Sequence, residues 1–175
     1  MRCTDDKAVR GGFTLVEILI AIAIVGILVV LAVGNFGGIN EKYKVEAETK
    51  QLYADLMDAR GRAMQRNRMF FVRFSGTGPG YTRYATYEDT NTAPDGNGIW
   101  DNTADTIVAN VTVAHTITTA LPGGAIAFEF NRNGIASVTG DIRFSSTTLP
   151  DYDCITIRPT RIKMGQYIGG VCVEK

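Results

Sequence analysis

Gly12-Phe13-Thr14-Leu15-Val16-Glu17 opens an apolar run that continues to Val33, and reading this junction decides the fold. Ile18 to Val33 holds no polar side chain, and Phe13–Val16 extend the run to about membrane length, roughly 20 residues. Its single ionisable group is Glu17. A carboxylate at the centre of a bilayer costs about 2.5–3.5 kcal/mol, so an acid placed there is a functional candidate that needs a partner. Three readings fit the stretch. A secretory signal would be cut after the run, near Ala32-Val33-Gly34. A plain anchor would keep its basic leader. Cleavage between Gly12 and Phe13 would leave the apolar helix on the mature chain.

Bulk properties set the frame. The 175 residues suit one ordinary domain plus an anchor. Basic and acidic residues balance at 18 each, so no overall field steers the chain to nucleic acid or anionic lipid. Removing the leader takes Arg2, Lys7 and Arg10 with Asp5 and Asp6, and the balance stays near neutral. Of the three cysteines, Cys3 lies in the leader, leaving Cys154 and Cys172 as an even pair. In an oxidising compartment they allow one disulfide, worth about 3 kcal/mol for a loop of this size. Two buried free thiols are the alternative. With no histidine nearby, they make a poor zinc site.

Beyond the run, Gly34-Asn35-Phe36-Gly37-Gly38 predicts a kink or melted turn, at roughly 1 kcal/mol per glycine relative to alanine. Val45, Thr49, Leu52, Leu56, Ala59 and Ala63 then recur in steps of four and three, one face of a helix. Lys42, Lys44, Glu46, Lys50 and Asp58 fall largely off that stripe, and the helix is expected to fray around Asn67. After Met69 the pattern turns to strands: Phe70–Phe74, a Gly76–Gly80 turn, Tyr81–Glu88, Thr106–Ile117, Ala125–Phe130, Ile135–Val138, Ile142–Ser145, Cys154–Arg158 and Arg161–Met164. A long helix followed by short strands is α+β, with the helix laid on antiparallel sheet.

Gly12-Phe13-Thr14-Leu15-Val16-Glu17 resembles the type III signal of type IV pilins and type II secretion pseudopilins. Leu52-x-x-Asp55-Leu56-x-x-Ala59-Arg60-x-x-Ala63 resembles the helix motif of GspH/FimT-type minor pilins, and Phe130-x-Arg132-x-Gly134 their hairpin motif. The resemblance implies the pilin fold and four segments: a leader (1–12), a transmembrane and assembly helix (13–34), an amphipathic helix (35–68) and a periplasmic β-rich domain (69–175). It further implies that a prepilin peptidase cuts after Gly12 and that the new terminal Phe13 is N-methylated. Glu17 would be the assembly residue, pairing with the terminal amine of a neighbouring subunit. The implied partners are other pilin or pseudopilin subunits and an inner-membrane assembly platform. The implied function is structural, in a type II secretion pseudopilus or a type IV pilus, at the bacterial inner membrane.

Other candidates have plainer readings. Asp95, Asn97 and Asp101, in a loop rich in acids and glycine, suggest calcium. An EF-hand frame started at Asn91 nevertheless puts Ala93 at a ligand position and lacks a glutamate at position twelve, so a solvated turn loop over Trp100 is preferred. Arg158, Arg161 and Lys163 stand where DNA-uptake members of the family carry a phosphate-gripping motif. Here that motif's glycine is missing and lysine replaces the last arginine, without its bidentate fork. DNA uptake is thus the alternative function. His115 is the only histidine and has no nucleophile–base arrangement around it. No enzyme activity and no cofactor are expected.

Overall fold

A computed structural model describes residues 12–76, 80–92 and 94–175, with the side chains of 31–38 set aside. Most of the expected leader (1–11), the middle of the Gly76–Gly80 turn and part of the apolar run's side chains lie outside that set. The chain divides into two units, Met1–Ile39 and Asn40–Lys175.

Helix α1 spans Leu15–Arg66. It begins at Thr14, whose Oγ1 accepts the Glu17 N–H at 3.2 Å, satisfying one of the free amides at a helix start. Helical structure continues through Gly34–Gly38, so the melted turn predicted there does not form. Interrupting the helix would require nucleating a second one, whereas continuing adds a hydrogen bond per residue and tolerates the glycine penalty. In the first unit the described apolar side chains are exposed, from Leu15 at 77% to Val30 at 72%. No helix among the described residues is long and apolar enough to cross a membrane. The helical part of the run with described side chains, 15–30, falls short of the roughly 20 residues a crossing takes; its continuation belongs to the set-aside side chains.

The second unit packs the rest of α1 on one antiparallel sheet. Its strands are β1 (Phe70–Ser75), β2 (Tyr81–Glu88), β3 (Thr106–Ala120), β4 (Ala127–Phe130), β5 (Gly140–Phe144), β6 (Cys154–Arg158), β7 (Arg161–Ile168) and β8 (Val171–Glu174). Their order is β4-β1-β2-β3-β5-β6-β7-β8. All six stripe residues of α1, Val45 to Ala63, are buried. They meet the inward, alternate residues of the strands: Phe70, Val72 and Phe74 of β1, Phe128 and Phe130 of β4, Ile142 and Phe144 of β5, Ile155 and Ile157 of β6. Strand periodicity puts Phe71, Arg73 and Ser75 on the opposite face. There Phe71, Ala85 and Tyr87 form a second, smaller cluster against Met69 and Trp100.

Two expectations need correction. Ile135–Val138 makes only one bridge, Phe130 to Ala136, closed by the Ser137 N–H to Glu129 O and the Asn131 N–H to Ile135 O, while the Ala136 N–H goes to Pro159 O. Glu46, off the stripe, is 7% exposed and accepts the Asp151 N–H at 2.9 Å. Strand β8 was not expected; the Gly169-Gly170 turn returns the chain onto β7. Helix α1 ends where fraying was expected, with Asn67 in the left-handed region at φ 54°.

Candidate functional sites

The N-terminal site is Gly12, Phe13 and Glu17. Phe13 is 80% exposed and lies just before the Thr14 cap. Thr14-x-x-Glu17 has capping-box spacing, a signal that reading the segment for hydropathy alone passes over. It places Glu17 in the first helical turn, where the helix dipole favours a carboxylate.

The helix and hairpin motifs meet. Gly134, at φ 69°, lies under the end of α1: a Cβ there would fall 2.9 Å from Met64 and 3.2 Å from the Cγ of Arg60. Arg60 Nη2 also donates to Thr160 O at 2.9 Å. Nearer the middle of the helix, the Tyr84 hydroxyl donates to Asp55 Oδ2 at 2.6 Å. Burial first, and the adjoining Asp55 carboxylate second, raise the Tyr84 phenol well above its ordinary value.

In the loop between β2 and β3, Asp95, Asn97 and Asp101 do not converge. Asp95 pairs with Arg132 at 3.5 Å, Asn97 Oδ1 accepts the Ile99 N–H, and Asp101 Oδ1 accepts the Thr103 N–H and hydroxyl. Those Thr103 hydrogen bonds hold the Asp101 carboxyl below its ordinary value. The loop's organiser is Asp89, which is fully buried. It accepts the Asn97 N–H at 3.1 Å and the Gly98 N–H at 2.6 Å. Asp105 does similar work for Thr90 and Asp101. Among the described residues no group of acids, histidine or cysteine is placed to hold a metal.

The C-terminal cations are matched by acids. Arg161 and Lys163 both face Glu174, at 3.0 and 3.5 Å, and Arg158 faces Asp141 at 3.6 Å. Partial burial opposes ionisation of Glu174, but the two cations outweigh it and lower its carboxyl. Cys154 and Cys172 are joined in a disulfide, Cα–Cα 6.0 Å, tying β6 to β8 across β7.

His115 on β3 is clamped to α1. Its Nδ1 lies 2.7 Å from Glu48 Oε2 and its Nε2 2.8 Å from Glu41 Oε1. Glu48 also accepts the backbone N–H groups of Ala114 and His115. Burial by itself would lower the imidazole, yet the two carboxylates prevail and raise it.

Comparison with known proteins gives two matches along the chain. The prokaryotic N-terminal methylation motif covers residues 7–33, and the type II transport protein GspH family covers residues 48–160. No curated protein matches. Among solved structures, the type IV minor pilin FimU of Pseudomonas aeruginosa is 13% identical, covering 76% of this chain and 99% of its own, with a TM-score of 0.52. The minor pseudopilin EpsH from the type 2 secretion system of Vibrio cholerae is 16% identical, covering 70% and 97%, with a TM-score of 0.51. At these identities the likeness is one of fold. An N-methylation motif leading into a helix packed on antiparallel sheet is the make-up of a pilin-like structural subunit, not an enzyme. The chain belongs to the GspH family.

Proposed function

We propose that the chain is a minor pilin-like subunit, cut by a prepilin peptidase between Gly12 and Phe13 and N-methylated at Phe13. Residues 13–34 anchor it in the bacterial inner membrane, with the β-domain in the periplasm, until an assembly platform adds it to a type II secretion pseudopilus or a type IV pilus. Carrying this reading is the occurrence of both matches in one chain, methylation motif first and GspH domain after it. The exposed apolar helix supports it, since such a surface calls for lipid or neighbouring helices. Cleavage would create an amine at Phe13, four residues before Glu17, and pairing these two groups between subunits would relieve the cost of each in lipid. DNA uptake is not adopted, because Arg161 and Lys163 are already engaged by Glu174.

Mass spectrometry of the mature protein tests the processing step. The expected N-terminus is N-methylated Phe13, and one at Asn35 would overturn the reading. A Glu17→Ala chain should still be processed but should not enter filaments. Secretion genes or pilus genes beside this one would assign the machine.

A further inference from the structure

On the sheet face turned away from α1, Arg73 and Arg83 lie close together without a neutralising carboxylate. Most cations of the domain face a carboxylate, among them Lys42, Arg62, Arg66, Arg132 and Arg161. Among the described residues, Arg73 and Arg83 have none within ion-pairing distance. Strand register sets Arg73 opposite Ala85, and Ser75 opposite Arg83. The two arginines therefore share a face as diagonal neighbours, roughly 7–8 Å apart.

Arg73 is also fixed in place. Its guanidinium carbon lies 3.6 Å from the centre of the Trp100 ring, and Trp100 rests edge-on against Tyr87 at 5.8 Å. A stacked guanidinium gives up less freedom when its planar fork takes a carboxylate. Beside it a groove of about 510 Å³ is lined by Arg73, Trp100, Tyr81, Asn102 and Ile126 among others, with no acid among the described residues that line it. Its neighbour across Trp100 includes Glu129, which disfavours an anion on that side. The recess continues past Ser75 and Gly76 to Arg83.

We propose that this groove docks an acidic segment of a partner protein. A carboxylate sits on Arg73 and Arg83, and an adjoining apolar side chain lies against Trp100 and Ile126. This goes beyond the subunit's assembly through its helix and does not depend on which machine the filament serves.

Trp100 is the only tryptophan, so its emission reports directly on the groove. The full chain in nonionic detergent would be titrated with the capped peptide acetyl-Phe-Asp-Glu-amide, and with acetyl-Phe-Asn-Gln-amide as the neutral match. The acidic peptide should give a saturable change and the neutral one a much weaker response. Arg73→Gln should weaken binding about tenfold or more, the loss of a charge-assisted hydrogen bond. Arg83→Gln, on the exposed rim where folding is not at stake, should weaken it as well. Arg73→Lys should recover only part of the affinity. The proposal is overturned by equal responses to both peptides, by no saturable response, or by an Arg83→Gln chain that binds the acidic peptide as the native one does.

Discussion

Glu48 holds His115 by both its backbone and its ring: one carboxylate oxygen accepts the strand's amide and meets Nδ1 at 2.7 Å. With Glu41 on the other ring nitrogen, the imidazole has a carboxylate at each end, an arrangement that suits the protonated ring, since both nitrogens then donate.

The sign of the pH effect follows. The folded state raises the His115 pKa, so its contribution to stability is complete below the unfolded value of about 6.5 and is lost as pH rises through the folded one. Melting temperature should therefore fall across that interval, and His115→Gln should flatten this part of the profile. Parallel profiles for both proteins would refute the assignment.

Asp89 should matter more than any other acid in its loop. Asp89→Ala strands the Asn97 and Gly98 amides and should cost about 2–3 kcal/mol in denaturant unfolding. Asp95→Ala, losing an exposed pair with Arg132, should cost under about 1 kcal/mol. Gly96 faces the Asp89 carboxylate at φ 86°, with no room for a Cβ, so Gly96→Ala should resemble Asp89→Ala. Added calcium should leave the melting temperature unchanged, because Asp89, Asp101 and Asp105 already serve backbone amides and Asp95 pairs with Arg132.

Cys172→Ser opens the disulfide at the sheet edge. With the cysteines separated by 18 in sequence, the chain-entropy expectation is a loss of about 3 kcal/mol. Hydrogen exchange should quicken first in Val171–Glu174, with β1, towards the opposite side of the sheet, least affected.

Tyr84→Phe removes the hydroxyl held by Asp55 and should cost about 1 kcal/mol. In the native protein, spectrophotometric titration should find this phenol ionising only once the domain unfolds, because burial and Asp55 both oppose its charge.

What could be read from the sequence follows the strength of each local signal. The α1 stripe was legible because six positions at helical spacing all face one core, and each is buried. The burial of Glu46 could not be read from its place off the stripe, because its contact is with Asp151, over a hundred residues away. Ile135–Val138 has strand-forming residues, but its pairing with β4 stops at one bridge, and the Ala136 amide turns to Pro159 instead. Strand β8 is four residues long and needs β7 to exist. The N-terminal motif could be read in one dimension. The Arg73–Trp100 stack could not, since it joins a strand to a distant loop.

The position of β4 bears on the order in which the domain can form. Phe70 pairs with Phe130, so in a chain emerging N-terminus first, β1 gains its β2 neighbour early and waits for β4. During that interval the outer edge of β1, bearing Phe70, Val72 and Phe74, offers unpaired amides and carbonyls. An open apolar edge of this kind invites pairing with other chains. Until Phe130 arrives, a nascent molecule therefore carries this edge open to pairing with other chains.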